Sequence, residues 1–370
     1  MNLRRAMPVP HLAYLAACAL TVLAIAVLGW WTAWRAFGVP TLEPVFADLR
    51  TIQAGLGAAH PQVSNPGDPW GRPMNYPSIW LDIARVLHWE REGNYRAFAA
   101  GIDLAFVACC FDLIRRYRSW WIAALALSGA CALGLERANN DMAIFVLLYV
   151  SAVTARPLFT VLVPLAALLK LYPVLVLPAF IRRPRLAVMA AAGCAAAIAV
   201  LVPELPAIRA GTPAGAAMSY GAPLYAVALQ EAGVALPVAA MMAALLAGAA
   251  LLHAAAPGLF RKPPCDARTT ALFLCGAGIF LGTTLLGPNW DYRLSFLLMT
   301  LPLIAALEAK GLRIGLPMLM LFACSQPLLD GFAGETGWRL NLAAKAALFV
   351  LLGPLAIRAL LDSLPGRDKT

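Results

Sequence analysis

The chain has 370 residues, of which 61% are hydrophobic and 13% charged, and its formal net charge is +10. A soluble domain carries about 25% charged residues, and the long apolar runs here are continuous rather than alternating, which excludes both a soluble protein and a β-barrel. The basic residues stand in short loops between apolar runs. This is the positive-inside pattern of membrane proteins, so the charge does not indicate nucleic-acid binding. The composition predicts one all-α polytopic membrane domain over residues 1–370.

About ten apolar segments are predicted to span the membrane as helices. The first follows Arg4-Arg5 and continues to Trp30-Trp31 without a small-x-small cleavage site, which predicts a retained anchor rather than a removed signal peptide. In chain order the predicted spans are His11–Phe37, Arg96–Ile114, Ser119–Leu135, Met142–Ala155, Leu186–Val202, Leu236–Ala256, Thr269–Leu286, Tyr292–Leu307, Arg313–Leu329 and Leu340–Leu361.

A further apolar run, residues 157–181, contains Lys170-Leu171-Tyr172-Pro173 in its middle. If this run crossed as one helix, Arg182 would lie on the face opposite to most other basic clusters, against the positive-inside rule. Proline disfavours a helical residue before it, so a break at Tyr172 is physically reasonable. We therefore predict a re-entrant hairpin of two half-helices with Lys170 and Tyr172 at its tip. A single proline-kinked span is the alternative.

The hairpin places all basic clusters and both termini on the cytoplasmic face, and it places the long polar loops together on the outer face. The alanine- and arginine-rich composition is typical of a GC-rich bacterial genome, so the predicted location is a bacterial inner membrane. The longest outer loop, residues 38–95, is predicted to contain two amphipathic helices along the membrane surface, the second capped by Ser78. These helices would cover an outward-facing cavity.

Asp48 lies in the first of these two predicted helices, at the presumed mouth of the cavity. A single carboxylate can take the proton from an attacking hydroxyl when the leaving group is a phosphate, which needs no acid. The alternative is an ion pair of Asp48 with Arg50 or Arg72 on a solvated surface.

The order of several short motifs, all on the predicted outer face, resembles glycosyltransferase family 87 over most of the chain, from Phe46 to Phe296. These are polytopic enzymes of the GT-C superfamily that use polyprenyl-phosphate sugars. The resemblance implies a GT-C-like bundle, an aspartate base corresponding to Asp48, and a cavity for the lipid-linked donor. One departure is Glu136-Arg137-Ala138, where small residues such as glycine are more usual. The motifs are Asp48, Asn75-Tyr76-Pro77, Arg137-Ala138-Asn139-Asn140-Asp141, Lys170-Leu171-Tyr172-Pro173 and Asn289-Trp290-Asp291-Tyr292-Arg293.

The donor phosphodiester needs cationic partners, for which Lys170, Arg137 and Arg293 are the candidates. The two arginines could equally be membrane-edge anchors paired with Asp141 and Asp291. No metal ligand or cofactor is required, although a divalent cation could bind at Asn139–Asp141. The candidates for sugar or acceptor binding are Tyr76, Asn139, Asn140, Asp141, Tyr172 and Asp291.

Two functions follow as hypotheses. The first is an inverting glycosyltransferase that moves a sugar from a polyprenyl-phosphate donor to a lipid or glycan acceptor on the extracytoplasmic face. The second is a transporter or lipid flippase without covalent chemistry, with Lys170 and Asp103 as sites within the membrane. Asp103 and Lys345 could instead pair with each other, or Lys345 could reach outward. The partners expected for the enzyme are the lipid-linked sugar, its acceptor and membrane lipids.

Overall fold

A computed structural model describes residues 9–154, 158–212, 218–262 and 264–364, with the backbone alone at 327, 328 and 330–333. Both chain termini, which are predicted to be cytoplasmic, lie outside these ranges. The described residues form 17 α-helices and one two-stranded sheet. The helices are α1 (Pro10–Leu28), α2 (Trp30–Ala36), α3 (Ala47–Gly55), α4 (Ile79–Val86), α5 (Glu92–Tyr117), α6 (Trp120–Ala126), α7 (Gly129–Arg137), α8 (Asn140–Thr154), α9 (Phe159–Leu169), α10 (Pro184–Leu201), α11 (Leu205–Gly211), α12 (Ala222–Glu231), α13 (Val238–Ala255), α14 (Ala267–Leu286), α15 (Leu301–Ile304), α16 (Lys310–Ala323) and α17 (Gln326–Leu361).

Short 3₁₀ helices and a small sheet connect these helices. The sheet pairs β1 (Ser219–Tyr220) with β2 (Asn289–Trp290) in antiparallel register, Ser219 opposite Trp290. The 3₁₀ helices cover Tyr172–Phe180, Val202–Glu204, Pro257–Phe260 and Asp291–Thr300.

Six of the described helical segments are long and apolar enough to cross a membrane, which makes the chain a multi-pass membrane protein. Each corresponds to one of the predicted spans. The other four predicted spans are short or interrupted, so the structure shows six long helices rather than about ten. The six segments are Pro10–Leu28, Glu92–Tyr117, Pro184–Gly211, Val238–Ala255, Ala267–Leu286 and Gly334–Leu361.

The four remaining predicted spans differ for local reasons. Ser119–Leu135 divides into α6 and α7 at Leu127–Ser128, and Tyr292–Leu307 begins as a 3₁₀ helix that runs into α15. The helices α8 and α16 have only 15 and 14 residues. Apolar periodicity alone cannot distinguish a continuous helix from two short ones that are both buried.

The chain reverses direction at Lys170, as predicted. Helix α9 ends at Leu169, and Lys170 is extended (φ −155°, ψ 138°) before the next 3₁₀ helix begins. The rings of Phe159 and Phe180 stack with their centroids 4.1 Å apart, although a continuous helix would separate the two residues by about 30 Å. The two arms therefore form a hairpin with Lys170 at its turn. Residue 157, where the predicted hairpin begins, lies outside the described residues.

Helix α14 is the centre on which this hairpin packs. A Cβ added at Gly278 would lie 2.6 Å from the carbonyl oxygen of Leu175, and one at Gly282 would lie 2.5 Å from the Leu175 side chain. The glycines thus form a notch that admits the 3₁₀ helix Tyr172–Phe180 at close range. The 3₁₀ helix Asp291–Thr300 also packs on α14, and the rings of Tyr172 and Phe296, one from each 3₁₀ helix, lie with their centroids 6.0 Å apart.

The basic segments of the chain contact one another near the start of α14. Their side chains and backbone join loops that are far apart in sequence, as expected if they share one face. The contacts are Tyr117 Oη to Thr269 Oγ1 (3.0 Å), Arg268 Nε to Val153 O (3.0 Å), Arg182 Nη2 to Asp362 O (3.0 Å), Lys262 Nζ to Asp362 Oδ2 (3.1 Å) and Glu308 N to Arg261 O (3.2 Å).

The loop of residues 38–95 contains two helices, α3 and α4, as predicted. The indole N–H of Trp80 on α4 donates to the carbonyl oxygen of Leu169, 3.0 Å away at the tip of the hairpin. Ser78 does not cap α4 through its side chain; its backbone N–H and its hydroxyl donate to Glu204 at 2.7 and 2.6 Å. The loop is therefore fixed to the hairpin and to the 3₁₀ helix between α10 and α11.

Candidate functional site

Asp48 is buried on the first turn of α3, with 7% of its surface exposed. Its Oδ1 lies 3.3 Å from the guanidinium of Arg72, and its Oδ2 accepts a hydrogen bond of 2.6 Å from Asn139 Nδ2. The alternative of an ion pair with Arg72 is therefore present, but the pair is largely buried rather than on a solvated surface. Such a carboxylate is held in one orientation by two donors.

Arg72 is itself positioned by Asp68, a residue that the sequence analysis did not select. Arg72 donates to Asp68 through Nε (3.1 Å), Nη2 (3.0 Å) and its backbone N–H (2.9 Å). Burial raises the pKa of Asp68, but hydrogen bonds from Arg72 and Thr51 outweigh it and leave that pKa below its usual value. The four-residue spacing of Asp68 and Arg72 around Pro69 and Gly71 was the available sequence signal.

Asn139 connects Asp48 to a second buried carboxylate. Ala138 before it adopts a left-handed conformation (φ 43°) that ends α7, and Asn139 then caps α8. Its Oδ1 accepts from the backbone N–H of Asp141 at 2.8 Å, which leaves Nδ2 directed at Asp48. The helix cap thus fixes which end of the amide faces the carboxylate.

Asp141 is fully buried and binds two cationic side chains. Its Oδ1 accepts from Lys170 Nζ and, at 2.8 Å, from the Tyr172 hydroxyl. Its Oδ2 accepts from Arg293 Nε at 3.0 Å, and the Arg293 guanidinium lies 4.4 Å from the centre of the Tyr172 ring. Two cations on one carboxylate leave a residual positive charge. The side chains of Lys170 and Arg293 stay 11% and 14% exposed, so this charge reaches a surface.

Tyr76 lies near both carboxylates. Its ring centre is 5.2 Å from Lys170 Nζ. Burial raises the pKa of the Tyr76 hydroxyl well above its usual value, and the nearby Asp48 carboxylate raises it further. The structure therefore brings together six of the predicted residues besides Tyr76: Asp48, Asn139, Asp141, Lys170, Tyr172 and Arg293.

Arg137 is close by but does not bind either carboxylate of this cluster. Its guanidinium lies 5.8 Å from the centre of the Trp290 ring, and its Nε lies 3.7 Å from Glu136 Oε2. Glu136 is fully buried, and its Oε1 accepts from the backbone N–H of Leu42 at 3.1 Å. Burial, reinforced by the charge of Asp48, raises the pKa of Glu136 to about 7 despite the opposing effect of Arg137.

The remaining two predicted residues, Asn140 and Asp291, lie outside this hydrogen-bond network. Asn140 is fully buried, and within the described part of the chain neither atom of its amide group has a hydrogen-bond partner. Asp291 accepts a 2.6 Å hydrogen bond from Lys345, which also donates to Gln326 at 2.9 Å. Lys345 is fully buried, so its expected pairing with Asp103 and its expected outward reach were both wrong.

The donor set does not suit a divalent cation at Asn139–Asp141. Both oxygens of Asp141 already bind cationic donors, and the Asn139 oxygen caps α8. Among the described residues, no three His, Cys, Asp or Glu side chains are grouped so as to hold a metal ion. An open surface depression of about 680 Å³ lies elsewhere, lined by Val202, Leu205, Pro206, Arg209 and Ala210.

Comparison with known proteins assigns no family to the chain. No protein-family model, no curated protein and no solved structure matches it.

Proposed function

We propose that the chain is an integral membrane glycosyltransferase. It would move a sugar from a polyprenyl-phosphate donor to a lipid or glycan acceptor at the extracytoplasmic face of a bacterial inner membrane. The observation that supports this most is the bridge made by Asn139, whose amide binds the Asp48 carboxylate on one side and the backbone of Asp141 on the other. A base and a pair of cations are thereby held next to each other.

The two halves of this cluster carry opposite residual charges. Asp48 and Asp68 share the single cation Arg72, so that half is negative overall. Lys170 and Arg293 share the single carboxylate of Asp141, so the other half is positive. Sugar transfer from a lipid phosphate needs both, since a base must take a proton and cations must stabilise the departing phosphate.

In the proposed step one bond to the anomeric carbon forms while another breaks, and the total charge stays the same. The acceptor hydroxyl transfers its proton to Asp48 while its oxygen attacks the anomeric carbon from the side opposite the phosphate. The bond between that carbon and the phosphate oxygen breaks, and its electron pair leaves with the polyprenyl phosphate. Lys170 and Arg293 stabilise the leaving anion, and the anomeric configuration inverts.

The number of membrane spans and the orientation of the chain in the membrane are part of the same proposal. The interrupted segments would also cross the membrane, giving about ten spans in a GT-C-like bundle. The hairpin would enter and leave by the cytoplasmic face, with Arg182 and the other basic segments inside and Lys170 at membrane depth. Support comes from the contacts that group the basic segments near the start of α14. The cluster around Asp48 would then open to the outer face.

The alternative is a transporter or lipid flippase without covalent chemistry. Asp103 favours it, since one of its carboxylate oxygens is buried on the apolar helix α5 without a hydrogen-bond partner among the described residues. Lys170, the other residue of that hypothesis, is engaged by Asp141. Turnover of a polyprenyl-phosphate sugar distinguishes the two functions, because only the glycosyltransferase breaks a bond of the lipid.

The test compares Asp48→Asn with wild type in lipid nanodiscs, on a panel of labelled polyprenyl-phosphate sugars with lipid and glycan acceptors. Asp82→Asn is the matched control, because Asp82 lies in the same loop with its side chain 61% exposed. We expect Asp48→Asn to lower transfer or donor hydrolysis by about 10²–10⁴-fold and Asp82→Asn to leave it unchanged. Equal activity of all three proteins, or binding of the donor lipid without turnover by wild type, would reject the proposal.

A further inference from the structure

Glu136 is a buried carboxyl group that the proposed reaction does not use. It lies on the last turn of α7, three residues before Asn139, and both residues bind the first outer loop. Glu136 Oε1 accepts from Leu42 N at 3.1 Å, and Asn139 Nδ2 donates to Asp48 at 2.6 Å. The end of α7 and the start of α8 therefore hold this loop at two points, six residues apart, with Asp48 at the second.

The surroundings of Glu136 suit a neutral carboxyl group better than a carboxylate. The charged groups that face it are Asp48 from α3 and Arg137 from its own helix, while the Leu42 N–H and the Trp30 indole supply its polar neighbours. Its Oε2 is buried without a hydrogen-bond partner among the described residues, and Arg137 Nε is 3.7 Å away, beyond hydrogen-bond distance. An anion that has one hydrogen-bond donor, a like charge nearby and a cation at 3.7 Å that donates no hydrogen bond to it is costly to bury.

We propose that Glu136, in its protonated form, is a positioning residue that holds the start of the first outer loop so that Asp48 stays on Asn139. This inference rests on the proposed function, because Asp48 is the group positioned. Ionisation of Glu136 buries a second carboxylate near Asp48 and favours an opened loop in which the new charge is hydrated. Opening of the loop moves Asp48 away from Asn139 and so reduces its ability to accept a proton from the acceptor.

The prediction is a loss of turnover at alkaline pH that depends on Glu136. The pKa of Glu136 is about 7, so wild-type turnover should fall as pH rises through that value, by about tenfold per pH unit beyond it. Glu136→Gln cannot ionise and should lack this fall, whatever its absolute activity. Glu43→Gln is the control, since Glu43 lies beside Leu42 with its side chain 65% exposed and should keep the wild-type profile.

The experiment measures the ratio of turnover at about pH 6 to that at about pH 8.5, and in parallel the amide hydrogen exchange of residues 39–46, corrected for the intrinsic pH dependence of exchange. Protection of this segment should fall through the same pH range in wild type and Glu43→Gln, but not in Glu136→Gln. If the turnover of Glu136→Gln fell at alkaline pH by the same factor as that of wild type, the inference would be overturned.

The exchange measurement also separates this inference from the proposed function. If no donor is turned over, the glycosyltransferase proposal fails, and exchange alone still decides whether Glu136 holds the loop. If Glu136→Gln does not fold, the wild-type protein is sufficient, because protection of residues 39–46 that stays constant across the range would overturn the inference.

Discussion

At the scale of single residues, Asp141 organises the positive half of the cluster, because Lys170 and Arg293 both bind its carboxylate. Lys170 was predicted from its position inside an apolar run and Arg293 from its place beside the predicted outer cavity, and both lie in the cluster. That they share Asp141 was not predicted: Asp141 was a candidate for sugar binding or, with Asp291, a partner of the arginines at the membrane edge, and its pairing with Lys170 depends on how segments far apart in sequence pack. Charged residues within membrane segments indicate a functional site in the sequence, whereas the identity of their ion-pair partners depends on how the helices pack.

Asn139 provides the test at this scale. Replacement by alanine removes the hydrogen bond to a charged acceptor and the cap of α8 together. We expect the free energy of unfolding to fall by about 2.5–4 kcal/mol, from about 1.5–3 kcal/mol for the charged hydrogen bond and about 1 kcal/mol for the cap.

Chemical denaturation in detergent measures this change. Gln230→Ala is the control, since Gln230 is an exposed polar residue on α12. If Asn139→Ala denatured at the same denaturant concentration as the control, the bridge between the two carboxylates would contribute nothing to stability.

At the scale of elements, the reversal at Lys170 was predictable and its packing was not. Proline at 173 and the basic residues after Ile181 were sufficient to predict the hairpin, which the Phe159–Phe180 stack bears out in its geometry. The support for the hairpin comes from α14, where Gly278 and Gly282 accept Leu175. Their four-residue spacing was visible in the sequence and is the small-residue pattern of close helix packing.

Gly278→Ala tests this packing. Its new Cβ would lie 2.6 Å from the carbonyl oxygen of Leu175, a backbone atom that cannot move alone, so the 3₁₀ helix Tyr172–Phe180 must shift. We expect a loss of about 1–3 kcal/mol in the free energy of unfolding. Gly101→Ala on α5 is the control, because nothing lies within 4 Å of its Cβ position, and it should be neutral or slightly stabilising. Equal stability of the two variants would contradict the proposed role of the notch.

At the scale of the whole molecule, charge distribution predicted which loops lie together. The contacts of Tyr117 with Thr269 and of Arg268 with Val153 join segments that were assigned to one face from their basic residues alone, as do those of Asp362 with Arg182 and Lys262. The number of long helices was not predictable in the same way, since buried interrupted segments are as apolar as continuous ones. Lys345 and Asp291 illustrate the limit, because their pairing depends on tertiary packing between segments 54 residues apart.

Labelling with a membrane-impermeant maleimide tests the proposed sidedness. Cys265 is partly exposed in the basic loop before α14, and Val63 is 72% exposed in the first outer loop. We expect Val63→Cys to be labelled in intact cells and Cys265 only after permeabilisation, with Cys265→Ser as the background control. Labelling of Cys265 in intact cells would contradict the orientation.

In the proposed enzyme, the negative half of the cluster performs the chemistry and the positive half binds the donor phosphate. This division of roles is tested most directly by measuring donor affinity and the single-turnover rate of polyprenyl phosphate release in the same preparations of wild type, Asp48→Asn and Lys170→Met. We expect Asp48→Asn to retain affinity and to lose about 10²–10⁴-fold in rate, and Lys170→Met to lose affinity. Loss of affinity in Asp48→Asn with an undiminished rate for bound donor would contradict this division of roles.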